Sequence, residues 1–524
     1  MLDSAPMPLP TVELDGASLT LADVHRIAHG AARARVSDQA RARANAARAV
    51  VDGIVTRNEV VYGVTTGFGK LSEVAIPPAR LSELQVNLVR SHAAGVGPLM
   101  PPREVRAMML LRANVLAKGF SGARPELADL LCAMLEAGLQ PPVPEQGSCG
   151  ASGDLAPLAH LGLALIGEGE LLKPGAAGDE PARGPAAEML RRAGLAPASL
   201  GPKEGLTLIN GTQAHTAVAA LLVEDARRLW RTAHVAGAAS LEALLGTPVA
   251  FDARIHDARG QVGQRRSAAL LRALLADSEI RESHRHGDPR VQDAYALRCM
   301  PQVHGPVLDA IEFCAGVVER ELNAATDNPL VFPDGAMLSG GNFPGQSVAM
   351  ALDFLAIAIT NLATIAERRI DRVVHPDLNQ GLPPFLTRDA GVNSGFMMAQ
   401  VTAAALASEC KVLSHPASVD TIPTDGSKED VVPMAMGAAW KARRVARNLE
   451  HVLAIELMCA AQGVELREHA ERRGRPGVGV ARAVARVREH VPTLDQDRVL
   501  ATDIAALAAL VADGRFADVM ETTA

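Results

Sequence analysis

The sequence predicts a mainly α protein, with a long-helix bundle core and a smaller N-terminal domain. Three observations point there. Apolar residues make up 48% of the 524 but aromatics only 3%, so the core must be filled by Ala, Leu, Val, Ile and Met, a set rich in helix formers. Long helical patterns dominate from residue 206 onward, at 211–246, 305–325, 345–370, 394–413 and 433–466. Strand-like alternation is scarce, and no 20–50-residue repeat is visible.

Residues 1–20 are Pro-rich and read as an irregular arm. Residues 21–205 form the N-terminal region, and the Gly/Pro/Ala-rich stretch 173–205 within it reads as a surface insertion. The bundle is expected over 206–470 and a C-terminal helical segment over 471–524. In the 345–370 pattern, Met350, Phe354, Ile357 and Asn361 repeat at helical spacing beside Leu355, Ile359 and Leu362, as for a helix inside a bundle. The apolar run from Ala349 to Thr360 is broken by Asp353; it reads as core, too short to span a bilayer.

The charge balance, 52 basic against 59 acidic, gives −7 and offers neither a nucleic-acid surface nor a polybasic membrane anchor. Six Cys (132, 149, 299, 314, 410 and 459) form no CxxC pair and read as reduced thiols of a cytoplasmic protein. No secretory signal is visible at Met1–Pro6.

Three familiar motifs fail. In Gly63–Lys70, Val64 and Leu71 stand where a phosphate-binding loop needs Gly and Ser or Thr. Gly147–Gly153 has the wrong glycine spacing for a dinucleotide loop, and Asp154 replaces the last Gly of a nucleophile elbow. There is no HExxH and no zinc-spaced Cys/His cluster, so no metal or nucleotide is expected.

The segment Gly150-Ala-Ser-Gly-Asp154-Leu-Ala-Pro-Leu-Ala-His160 has two readings. One is a Gly-rich turn with Asp154 as the N-cap of a helix. The other is chemical. The Gly153 amide nitrogen attacks the Ala151 carbonyl with loss of water, and loss of the Ser152 hydroxyl leaves an exocyclic methylene. The product is 4-methylidene-imidazole-5-one, an electrophile made from the chain. It needs a small first residue, a hydroxyl that can leave, and a Gly whose backbone bends freely. A helix N-terminus just beyond would sharpen it.

This segment resembles the signature of the histidine and aromatic amino acid ammonia-lyase family. The resemblance runs from about residue 10 to 480. It takes in Tyr62-Gly-Val-Thr-Thr-Gly-Phe-Gly69, Ile209-Asn-Gly-Thr212, Val291-Gln-Asp-Ala-Tyr-Ala-Leu-Arg-Cys299, Thr326-Asp-Asn-Pro329, Gly340-Gly-Asn-Phe343 and Lys428-Glu-Asp430. The chain's only two Tyr, 62 and 295, both fall inside these segments.

The resemblance implies a long-helix fold whose N-terminal region carries the self-made electrophile, and an ammonia-lyase that acts on a free amino acid, a small-molecule substrate, as a homotetramer. Ala151, Ser152 and Gly153 would supply the electrophile. Tyr62, on a mobile loop hinged by Gly63, Gly67 and Gly69, Tyr295 and Glu429 are its catalytic candidates; which one takes the β-proton stays open. A phenol is a poor base at neutral pH unless nearby helix N-termini lower its pKa. Arg298 would grip the substrate carboxylate with its fork of donors. Gln292, Asn210 and Asn328 would orient substrate or electrophile, and Phe343 would form an apolar wall. Taken singly, each residue also fits a plainer role: core packing for the Tyr, Phe343 and His92, a surface ion pair for Arg298, a turn for Asn328.

Ser91-His92 and Glu429 match the pattern of the histidine-specific members, which implies conversion of L-histidine to trans-urocanate. Imidazole donates and accepts hydrogen bonds, whereas a phenyl ring would leave those groups unpaired at about 1–3 kcal/mol each. Thr65, Pro344, His304 and Ser427-Lys428 depart from that pattern, and Lys428 stands next to Glu429. The alternatives are a tyrosine or phenylalanine ammonia-lyase, a 2,3-aminomutase, and an inactive helical scaffold; a fumarase-like Ser-rich loop is not found.

Overall fold

The computed structural model describes residues 9–175 and 180–519. All five long helical patterns form, as Gln213–Ala243, Met300–Leu322, Gln346–Val374, Met397–Leu413 and Ala435–Glu465. Contacts divide the chain into two units. Unit 1 comprises Met1–Leu221, Ala315–Leu352 and Pro416–Trp440; unit 2 comprises Leu222–Cys314, Asp353–His415 and Lys441–Ala524. The divisions fall inside four of the long helices.

Unit 1 carries the short strands. Thr11–Leu14 pairs in parallel with Arg33–Val36, so part of the segment expected to be irregular is ordered, while residues 1–8 lie outside the described part. Helix Leu21–Ala28 opens on a reciprocal capping box between Thr20 and Asp23. Helix Pro102–Lys118 is buried on nearly every face. It carries Arg112, whose guanidinium donates to the carbonyls of Thr207 at 2.7 Å and Asn210 at 3.1 Å. The 173–205 stretch holds strand Ala182–Pro185, paired with Glu170–Lys173, and helix Ala186–Arg192; residues 176–179 are not described.

Unit 2 is helical with a polar knot in its core. Arg369 meets Glu456 through two bonds, 2.5 Å and 2.9 Å long, and Ser240 donates to the same carboxylate. His304 is fully buried there, edge-on to His234 with ring centroids 4.6 Å apart. Burial first, then His234 and Arg369, hold His304 well below the ordinary histidine pKa.

Helix Gln346–Val374 corrects two expectations. Leu355, Ile359 and Leu362 are buried, but Met350, Phe354, Ile357 and Asn361 are exposed. The two stripes lie on different sides of one helix, and only the first is buried. The helix is also long and apolar enough to cross a membrane, with 67% of its apolar window buried. Asp353 within it is bonded to Lys441 at 2.6 Å. All six cysteines are free thiols.

Candidate active site

Strand Val96–Leu99 pairs antiparallel with Pro144–Gln146, which sets the C-terminal end of helix Leu81–His92 beside the segment 147–153. Ala435 donates its amide to the Cys149 carbonyl at 3.2 Å, and Gly345 to that of Gly150 at 3.0 Å. Ala151 and Gly153 are buried, Ser152 half-buried. Gly153 has φ +76°, and a Cβ there would overlap the Gly211 backbone. Only glycine fits this approach.

Asp154 does not cap the helix it precedes, Leu155–Leu165. Its carboxylate accepts the backbone amides of Ala214 and His215, both at 2.9 Å, and so caps the first turn of Gln213–Ala243. The Ser148 hydroxyl donates to it at 2.8 Å, and His215 Nδ1 lies 2.8 Å away. Burial alone would raise this carboxyl's pKa; His215, its amide and Ser148 instead hold it below the usual range. The charge is ionised, buried and satisfied beside the tripeptide.

The tripeptide opens on a cavity of about 580 Å³ lined entirely by unit 1. Its lining includes Tyr62, His92, Ser152, Asn210 and Glu429. Asn210 donates its side-chain amide to the Ser152 carbonyl at 2.8 Å. The Ser152 hydroxyl donates to Glu429, whose other oxygen accepts from Thr424 Oγ1 at 2.5 Å. His92 Nδ1 lies 2.9 Å from the Leu88 carbonyl. A carbonyl oxygen only accepts, so Nδ1 is the donor in that bond.

Tyr62 is half-buried. Burial raises its pKa above the ordinary phenol value; the nearby Gly69 amide opposes this, while Asp425, Glu429 and Asp327 add to it. Thr65 donates to the Glu59 carbonyl at 2.7 Å and accepts the Val61 amide at 2.9 Å, so its hydroxyl serves the loop. Lys428 is exposed.

Five expected residues do not line this cavity. Asn328, in unit 1, accepts the Gly340 amide at 2.7 Å and bonds Ser339. Phe343 is half-buried in the same unit. Gln292, Tyr295 and Arg298 belong to unit 2, with Tyr295 70% exposed and the Arg298 guanidinium 4.6 Å from its ring.

Sequence reasoning missed Leu84, Asn87 and Leu88, which line the cavity with Ser91 and His92 from one helix face. Leu84 and Leu88 stand eight and four residues before His92, and Asn87 four before Ser91, and that spacing carries the signal. It also missed Arg112, Asp425 and the true role of Asp154, for which no local pattern exists.

The chain matches the aromatic amino acid lyase family over residues 19–489. Histidine ammonia-lyase of Anaeromyxobacter sp. (strain K) is 58% identical over 510 residues, 97% of this chain and 99% of that relative. The crystal structure of histidine ammonia-lyase from Trypanosoma cruzi is similar at TM-score 0.88 and 43% identity, covering 98% of this chain and 95% of the other. That of tyrosine aminomutase from Streptomyces globisporus is similar at TM-score 0.90 and 38% identity, covering 98% and 99%.

Proposed function

The chain belongs to the aromatic amino acid lyase family, and from that premise we propose that it is a carbon–nitrogen lyase converting L-histidine to trans-urocanate and ammonia. The observation that carries this reading is that Ser152, His92 and Glu429 face one cavity. The comparisons support it, because relatives 46–58% identical over nearly the whole chain bear the name histidine ammonia-lyase.

The reaction removes a weakly acidic β-proton and a poor leaving group. The 4-methylidene-imidazole-5-one, formed from Ala151-Ser152-Gly153, supplies an electrophilic carbon that makes departure of the amine easier. The chain fits that group: Gly153 is bent at φ +76° where no side chain is tolerated, and the Ser152 carbonyl already accepts a hydrogen bond. Asn210 polarises that carbonyl. His92 and Glu429 hold the imidazole of the substrate. Arg298 binds its carboxylate, Gln292 and Asn328 orient it, and Phe343 closes an apolar side. Tyr62, Tyr295 and Glu429 are the groups that hold or move protons.

Gln292, Tyr295 and Arg298 are supplied by another copy within a homotetramer. The exposure of Tyr295 and of the Met350–Phe354–Ile357 stripe supports this assembly. Six free thiols support a cytoplasmic setting. The assay is direct. Purified protein given histidine, tyrosine or phenylalanine should release urocanate and neither coumarate nor cinnamate; coumarate without urocanate would overturn the substrate, and sedimentation of active protein as a monomer would overturn the assembly.

A further inference from the structure

We infer that Asp425 is a positioning residue that latches the Tyr62 loop to the Glu429 turn, an inference that rests on the lyase reading above. Two segments of unit 1 carry these groups, and they meet at one place. Asp425 lies against Gly69, where a Cβ would overlap its carboxylate. The Lys70 amide donates to Asp425 Oδ1 at 3.3 Å. Gly426 leaves room for the aliphatic stem of Lys70, whose Cγ would stand 3.3 Å from a Cβ added there. Gly69 lies on the loop that carries Tyr62 and lines the same cavity. Asp425 therefore meets the loop that presents the phenol.

The other side of the latch is equally fixed. Thr424 gives its hydroxyl to Glu429 at 2.5 Å and its amide to the Glu429 carbonyl at 2.9 Å, closing the turn that carries both carboxylates. Within that turn Asp425, Gly426 and Ser427 have φ of +47°, +59° and +64°. Two of these three are not glycine, so left-handed backbone is being held there at a cost. What that conformation achieves is to present the Asp425 carboxylate to Gly69 and Lys70 across the cavity that Tyr62, Ser152 and Glu429 line. Gly69, itself at φ +54°, is the complementary half: it is bare where the carboxylate arrives. Asp425 thus sets where Tyr62 stands relative to Glu429 without touching the reacting atoms.

The test uses the full chain with Asp425→Ala, Asp425→Asn, Gly69→Ala and the Gly69→Ala/Asp425→Ala pair. Turnover of L-histidine and tryptic cleavage after the exposed Lys70 are followed together. Asp425→Ala should lower kcat about tenfold or more, change KM less than about threefold, and speed cleavage after Lys70 about tenfold, with the melting temperature kept. Gly69→Ala should cost much less turnover in the Asp425→Ala background than in the wild type, because the overlapping carboxylate is gone. Asp425→Asn, which keeps shape and an acceptor, should fall between in turnover and cleavage, and Asp425→Ser, which also removes the overlapping carboxylate, carries the pairing with Gly69→Ala if Asp425→Ala does not fold. Losses that simply multiply in the double variant, or an unchanged cleavage rate, would overturn the latch. A wild type that makes no urocanate would defeat the lyase reading instead, while the cleavage comparison would still decide the latch.

Discussion

The side-chain amide of Asn210 reaches the carbonyl oxygen of Ser152 at 2.8 Å, and the Asn210 backbone is itself held by two bonds of 3.1 Å from the buried Arg112. A donor fixed from behind in this way loses nothing to reorganisation when charge develops on its acceptor. Asn210→Ala should therefore lower kcat about 10²–10³-fold, the usual effect of removing one such donor. Steady-state kinetics with L-histidine check this, and a loss confined to KM would contradict it.

The ionisation of Tyr62 gives a pH prediction. Burial leads the causes that raise its pKa above the ordinary phenol value of 10.0. The neutral phenol is thus the form present at neutral pH, and it is lost only as pH rises beyond 10. In a kcat/KM profile, Tyr62 should contribute no alkaline limb between pH 6 and 9. A limb in that range that vanishes in Tyr62→Phe would show the opposite shift.

Glu242 predicts a pH effect on stability. It is buried, accepts the Gly477 amide at 3.0 Å, and burial pushes its pKa up to about 7 despite bonds from Ser278 and Gly477. The folded state therefore holds a proton that the unfolded chain gives up near 4.5. Stability falls as pH rises from about 4.5 to about 7, by at most about 3 kcal/mol. Glu242→Gln should flatten the melting temperature across that range; an identical slope in the variant would contradict the assignment.

The Arg369–Glu456 pair gives a packing prediction. Both side chains are essentially inaccessible, at 0% and 1%. Arg369→Leu leaves a buried carboxylate unpaired and should cost about 3–5 kcal/mol, while Arg369→Leu with Glu456→Leu should recover most of it. Thermal melting of the single and double variants measures this, and equal losses in both would contradict it.

The helices were legible because their signal is local and repeats. Leu355, Ile359 and Leu362 mark the inner face of Gln346–Val374, but the outer stripe of Met350, Phe354 and Ile357 has the same period. Periodicity alone does not say which of two apolar stripes meets protein. The strands were not legible: pairs such as Leu330–Val331 with Met337–Leu338 are too short to show alternation. In the site, Ser152, His92, Asn210, Tyr62 and Glu429 were legible through motifs and do share a cavity. Asp154 was misassigned because its partners, Ala214 and His215, lie 60 and 61 residues away. The direction of the Tyr62 shift was left open for a similar reason, since Asp425 and burial come from the fold.

The most direct test is the intact mass of freshly purified, active protein, with a peptide map across Gly150–Asp154. Formation of the ring should leave the chain two water molecules lighter than its sequence, with the change confined to Ala151-Ser152-Gly153, and Ser152→Ala should abolish turnover because a methyl cannot leave as a hydroxyl does. Fully active protein at its unmodified sequence mass would contradict the account.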